Sequence, residues 1–184
     1  MEDSQEAPVS IYSHALKYGV ILGIISIVCV IAIYAIDFTF MASFKFLGLI
    51  MIIGLGVVIY AGINYRTEIG GYLPYGKAFI HGFTVLAISG VIGTLFNIVL
   101  YTVIDPDLAQ KMTDTIIENT EQMMRNFGAP DGSIDQATEK MRTDMPEQFS
   151  AGGLAFGYVK ALIWYGIIAL ITSLFVRKNV PVEM

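Results

Sequence analysis

Residues Phe83–Ile104 read FTVLAISGVIGTLFNIVLYTVI, 22 residues without a charged side chain. As an α-helix rising about 1.5 Å per residue, this segment is roughly 33 Å long. The hydrocarbon core of a bilayer is about 30 Å thick, so the length and composition predict a transmembrane helix. Asp105 and Pro106 follow directly, and a charge beside a helix-breaking residue predicts the end of that helix.

Three other segments have the same character. Together the four predict spans at about residues 15–36, 46–63, 79–104 and 154–176. The whole chain is 55% hydrophobic and 15% charged, with a mean hydropathy of +0.64, more apolar than a soluble domain can bury. We therefore predict an all-α fold: a single membrane domain over residues 1–184, built as a four-helix transmembrane bundle.

The connection between spans three and four, residues 105–150, predicts a structure of its own. Residues 105–153 hold ten acidic and four basic residues, whereas the whole chain has a net charge of −5. Apolar residues recur at helical spacing over residues 107–127 and 133–145, and a turn is predicted at Gly128–Gly132. The pattern is typical of an extramembrane amphipathic helical hairpin.

Local signals predict where the hairpin helices begin and end. Asp107 is expected to cap the first helix, and Ser133 with Gln136 forms a capping-box pattern for the second. Pro146 is expected to stop the second helix. Methionines on the apolar faces favour adaptable packing over a copper(I) site; they are Met112, Met123, Met124, Met141 and Met145.

The distribution of basic residues predicts the orientation. Four spans place both termini and the loop at residues 64–77 on one side. The basic residues on that side are Lys17, Arg66, Lys77, Arg177 and Lys178. The positive-inside rule makes it cytoplasmic and the 105–153 loop periplasmic. The acidic segment Met1–Ser10 has no Lys or Arg, which favours a retained first span over a cleaved signal peptide.

Two stretches carry a resemblance to a known family. The segment NYRTEIGGYLPYGKAF, residues 64–79, and Ile104–Pro106 at the end of span three resemble the bacterial membrane family called domain of unknown function 4199. The resemblance covers nearly the whole chain. It implies a small four-span protein of the Bacteroidetes type in the inner membrane, and it implies no catalytic residue and no cofactor.

The loop also contains a near match to a phosphate-binding motif, Gly71-x-x-x-x-Gly76-Lys77-Ala78. A P-loop needs Ser or Thr after the lysine to ligate magnesium, and it follows a strand of a parallel sheet. Here Ala78 takes the place of the hydroxyl, and a membrane helix takes the place of the strand. The motif therefore predicts a glycine-rich turn with Lys77 as an anchor at the membrane surface.

Polar side chains beside this loop form the first candidate site. His81 lies one helical turn after Lys77, and we expect it to join Arg66 and Glu68 in a cluster at the membrane surface. A hydrogen-bonded interfacial histidine and a functional group are both compatible with this placement. His14 and His81 are the only histidines, and no HExxH or CxxC pattern predicts a metal site.

Span three has a small and polar face. Its members fall within about 120° on a helix: Ala87, Gly90, Gly93, Thr94, Asn97 and Tyr101. Asn97 lies near mid-membrane, so the face predicts either a packing surface with a buried amide or the lining of an ion or substrate path. Span one has a small face of its own, with Gly19, Gly23, Ser26 and Cys29, and we expect the two faces to pack together.

These patterns leave three functions open. The leading hypothesis is a non-enzymatic structural or interaction protein that contacts the lipid bilayer and binds a protein partner or a second copy through the 105–150 hairpin. The alternatives are a small transporter or channel component, using Asn97, Tyr101 and His81, and a membrane-embedded lipid-acting enzyme. No catalytic set is recognisable, and no basic patch indicates nucleic-acid binding.

Overall fold

The computed structural model describes residues 10–179, so the acidic residues 1–9 and residues 180–184 lie outside the description. The described chain forms six α-helices: α1 Ile11–Asp37, α2 Phe44–Glu68, α3 Tyr75–Val99, α4 Leu108–Asn126, α5 Asp131–Gln148 and α6 Ala151–Val176. A 3₁₀ turn, Phe38–Ala42, follows α1, and a π-helical turn, Leu100–Ile104, follows α3. The all-α fold with a helical hairpin between spans three and four is confirmed.

Four of these segments are long and apolar enough to cross a membrane: Ile11–Ala42, Phe44–Glu68, Tyr75–Ile104 and Ala151–Val176. Each segment begins a few residues before the predicted start of its span, and the third and fourth end at the predicted residues, Ile104 and Val176. Large apolar side chains such as Ile24 and Trp164 lie exposed on the outer faces. Lipid accepts apolar side chains on a helix surface, so these exposed residues are compatible with a spanning bundle.

Helix α3 is the centre of the bundle and packs against α1, α2 and α6. Its contact with α1 is closest at two glycines. A Cβ atom added to Gly19 would lie 2.7 Å from the Cβ of Ile88, and one added to Gly23 would lie 2.9 Å from the Cβ of Ile92. The small face of span one is therefore a packing surface, and branched side chains of α3 fill it.

The small face of α3 packs against a different helix than expected. A Cβ atom added to Gly90 would lie 2.7 Å from Tyr165 Cε2 and 2.9 Å from Tyr158 Cε2, both on α6. The hydroxyl of Tyr158 also donates to the carbonyl of Ala87, at 3.1 Å. The expectation that the two small faces pack together is wrong, because each of them instead receives bulky side chains that fill its volume.

The hairpin helices differ from their predicted bounds. Helix α5 begins at Asp131 with Pro130 at the N-cap, so Ser133 lies inside the helix and forms no capping box. The φ of Pro130, −62°, suits a helix start. The Asp131 carboxylate lies in the first turn, where the positive end of the helix dipole makes a negative charge stabilising. The expectation that Pro146 stops α5 is wrong by two residues: the helix continues past it and ends at Gln148. Asp107 occupies the N-cap of α4 without a side-chain capping bond.

Two short connections, one between α4 and α5 and one between α5 and α6, shape the hairpin and its junction with the bundle. Gly128 has φ +74° in the turn between α4 and α5, a conformation that favours glycine. Between α5 and α6, the Ser150 hydroxyl accepts from the amide of Gly153, at 3.0 Å. A side chain at Gly153 would overlap the carbonyl of Glu147. This corner therefore depends on the glycine.

The close contact between α1 and α3 predicts a stability difference between two glycines. Gly19→Ala should lower the free energy of unfolding by about 1–3 kcal/mol, because the new methyl group overpacks a helix contact. Denaturant titration in mixed micelles, followed by the fluorescence of Trp164, measures it. Gly54→Ala is the control: no atom lies within 4 Å of its added Cβ, so stability should hold or rise. Equal losses in both variants would contradict this packing.

Candidate functional site

A buried pair of histidines joins α1 to α3 near the loop between α2 and α3. The Nδ1 atom of His14 lies 2.9 Å from the Nε2 atom of His81, within hydrogen-bond distance. The two residues are 4% and 1% exposed. They are 67 positions apart in sequence. Only the packing of α1 on α3 brings the rings together.

Helix α2 supplies the next member of the network, Asn64. Its Oδ1 atom lies 3.0 Å from His14 Nε2, and the hydroxyl of Tyr18 donates to the same oxygen at 2.9 Å. An amide oxygen only accepts hydrogen bonds, so His14 Nε2 carries a hydrogen. A neutral His14 then has a bare Nδ1, and His81 must donate to it from Nε2.

This assignment leaves the Nδ1 atom of His81 as an unprotonated lone pair. The atom is buried, and it has no hydrogen-bond partner within residues 10–179. A buried polar atom without a partner is uncommon, because its lost hydration is not replaced. The lone pair therefore marks the cluster as a candidate site.

Two residues of α2 complete the surroundings of the pair. The Oε1 atom of Glu68 lies 3.7 Å from His14 Nε2, and the Glu68 side chain is 37% exposed. The ring of Tyr65 stacks on that of His81, with centroids 5.2 Å apart and planes 10° apart. The cluster thus reaches from a buried imidazole to a carboxylate in contact with water.

The structure brings together only part of the predicted surface cluster. His81 and Glu68 both contact His14, whereas Arg66 turns away and donates from Nη1 to the carbonyl of Val176, at 2.8 Å. Lys77 is exposed and lies outside the network. Sequence reasoning missed His14 as the partner of His81, and it missed Asn64 and Tyr18 as further members of the network. The sequence does show polar side chains at the ends of the apolar segments. It does not show which helix ends lie next to each other in the bundle.

The glycines of the loop between α2 and α3 allow its backbone conformation. Gly70 and Gly71 have φ values of +96° and +88°, in the left-handed region that glycine tolerates. Leu73 then exchanges two backbone hydrogen bonds of 2.9 Å with Lys178, just past the end of α6. Gly76 lies in the first turn of α3. These features fit the expected turn and do not resemble a P-loop.

The polar face of α3 divides into separate environments. Asn97 is half-buried, and its amide makes no hydrogen bond in the part of the chain that the structure describes. Tyr101 is buried, and its ring lies 5.0 Å from that of Phe149 at the end of the hairpin. Between Tyr101 and His81, buried Val85 and Leu86 pack in an apolar core. The candidate residues predicted from the sequence therefore do not form one site; they are Arg66, Glu68, Lys77, His81, Asn97 and Tyr101.

A second polar contact, at Asp105, anchors the hairpin. Tyr34 of α1 donates to Asp105 Oδ2 at 3.0 Å, and Lys111 Nζ of α4 lies 3.1 Å from the same oxygen. Desolvation acts to raise the pKa of Asp105, but the hydrogen bonds from Lys111 and Tyr34 outweigh it and hold the pKa below its ordinary value. The carboxylate joins α1, the end of α3 and the start of α4.

Four apolar helices of spanning length with a helical hairpin between the third and fourth define a multi-span helical membrane protein. The family model for protein of unknown function (DUF4199) matches residues 17–178. The chain belongs to that family, as the sequence resemblance predicted. The match includes Asn64, Glu68 and His81, while His14 lies three residues before it. No curated protein and no solved structure matches the chain.

The Asp105 contact predicts a pH dependence of the hairpin base. A carboxyl whose pKa is lowered in the folded state stabilises that state above its unfolded pKa, and the stabilisation is lost as pH falls through the folded pKa. The protection factors of the amides in the first turn of α4, which correct for the slower intrinsic exchange at low pH, should therefore fall below about pH 4. Asp105→Asn should accelerate exchange already at pH 7. Asp135→Asn, an exposed position on α5, is the control and should leave that turn unchanged.

Proposed function

We propose that the protein is a non-enzymatic membrane protein whose four-helix bundle holds the acidic hairpin at one membrane surface, where the hairpin tip binds another protein. One observation carries this proposal: the hairpin is buried at its base and exposes apolar side chains at its tip. Leu108 and Met112 at the base are buried, whereas Met123 and Phe127 near the tip are 39% and 85% exposed.

The base of the hairpin is part of the bundle core. Leu108 and Met112 belong to one apolar cluster with Leu100 and Tyr101 of the π-helical turn. Side chains of α1, the 3₁₀ turn and α6 pack against the same cluster: Val30, Tyr34, Phe38, Met41 and Leu154. Higher in the hairpin, Ile117 and Ile134 are buried where α4 packs on α5. These contacts support a folded hairpin whose base is held in place by the bundle.

The tip differs from the base. Met123 and Phe127, near the turn, are exposed, so whatever covers this apolar face lies outside the hairpin itself. Arg125 and Asp131 form an exposed ion pair of 3.0 Å beside the turn. The acidic composition of the hairpin opposes adsorption to anionic head groups. Apolar side chains on a charged arm are better covered by a protein surface.

The two alternative functions have less support from this geometry. A transport path along α3 would have to pass the apolar core at Val85 and Leu86, between His81 and Tyr101. A lipid-acting enzyme would use the loop near Arg66, but that guanidinium is occupied by the carbonyl of Val176. A protein-binding arm requires neither a polar path nor a free basic group.

The orientation that we propose places the histidine pair toward the cytoplasm and the hairpin in the periplasm of a bacterial inner membrane. The basic residues near the α2–α3 loop and the end of α6 support it. In a Cys29→Ala background, a membrane-impermeant thiol reagent added to whole cells should label Ser133→Cys and miss Thr67→Cys. Both positions are exposed, so the reverse labelling pattern would overturn the orientation.

Site-specific photo-crosslinking tests the proposed function in the native membrane. A photoreactive amino acid in place of Phe127 should give a discrete product with another protein, because this side chain projects from the tip. The same amino acid in place of Glu118, exposed on α4, is the matched control and should give little product. A product of twice the chain's mass would identify the partner as a second copy. Absence of any product at position 127, or equal products at both positions, would contradict the proposal.

A further inference from the structure

We propose that His14 and His81 form a binding site for a single proton, which is taken up at His81 Nδ1 and whose positive charge settles on His14 beside Glu68. The site is distinct from the hairpin contacts and does not depend on them. Its ligand is a proton from the aqueous phase.

The free base of the pair is identified by the hydrogen bonds of the other ring nitrogens. His14 Nε2 donates to Asn64, and His81 Nε2 donates to His14 Nδ1. The remaining ring nitrogen, His81 Nδ1, is buried and has no partner within the described chain. A proton that binds the pair without breaking one of these hydrogen bonds must bind there.

Uptake rearranges the pair along its existing hydrogen bond. An N–H bond forms at His81 Nδ1, the N–H bond at His81 Nε2 breaks, and that hydrogen forms a new N–H bond at His14 Nδ1, 2.9 Å away. His81 ends neutral in its other tautomer, and His14 carries hydrogen on both nitrogens. The bond from His14 Nε2 to Asn64 is retained throughout.

The charge is favoured on His14 because Glu68 lies beside it. The carboxylate oxygen is 3.7 Å from His14 Nε2, and the partly exposed side chain can approach further when His14 becomes positive. His81, by contrast, lies under the ring of Tyr65 and is almost fully buried. A charge there would lose hydration without gaining a counter-ion.

The surroundings limit the site to one proton. Two charged imidazoles in hydrogen-bond contact would repel each other, so the rings titrate as one coupled unit. The other titratable groups facing the pair are Tyr18 of α1 and Tyr65 of α2; Lys77, one turn away on α3, is exposed. The facing part of α6, Ala169–Val176, contains no charged residue. Within residues 10–179, Glu68 is therefore the one anion placed to balance the added charge.

Nitrogen NMR on the full chain in lipid nanodiscs tests the proposal directly. The protein has only two histidines, so ¹⁵N-histidine labelling gives four ring-nitrogen signals, and His81→Gln assigns them. Near pH 8, both Nε2 atoms should be protonated and both Nδ1 atoms bare. On acidification, the His81 Nδ1 signal should change to the protonated type in a single transition that adds one proton to the two rings.

Two carboxylate variants test the role of Glu68. Glu68→Gln should move the midpoint of the transition to lower pH by about half a unit, the size expected for a partly exposed ion pair. Glu118→Gln, far from the pair on the exposed face of α4, should not move it. The proposal is overturned if the rings take up two independent protons, if His81 Nδ1 is already protonated at pH 8, or if no transition occurs while the protein stays helical. An equal shift in both variants would remove Glu68 from the site.

Discussion

The close approach of α1 to α3 at Gly19 and Gly23 is the contact on which the rest of the structure depends. In a bilayer, lipid is as apolar as the helix surfaces, so helices associate through packing and polar contacts rather than through exclusion from water. Glycine allows Ile88 and Ile92 to enter the face of α1. This contact sets the relative position of two parallel helices along their full length.

Both polar sites follow from that alignment. His14 meets His81 at one end of the helix pair, and Tyr34 meets Asp105 at the other. The two contacts are separated by 20 residues of α1, about 30 Å, close to the thickness of the hydrocarbon core. A polar side chain near a membrane end needs a partner, and the shared alignment supplies one at each end. One of these sites holds the hairpin, and the other is suited to binding a proton.

The hairpin shows how an acidic segment can be ordered beside a membrane. Its helices are polar overall, and the base is attached through a small apolar cluster with the Asp105–Lys111 ion pair at its edge. At the tip, Phe127 lies in solvent. A hairpin that is packed against the bundle at its base and apolar at its tip has a fixed position and a surface for binding.

The sequence by itself determined the four spans, the hairpin and the family, because hydrophobic length, helical periodicity and the 64–79 segment are local properties of the chain. It also marked His81 and Glu68 as candidates, since ionisable groups at a membrane surface stand out in an apolar sequence. Only the tertiary structure decided that His14 and Asn64 join His81, that Arg66 turns to α6, and that the small face of α3 receives tyrosines. Those outcomes depend on the rotation and depth of each helix, and many pairings of apolar helices satisfy the same local pattern.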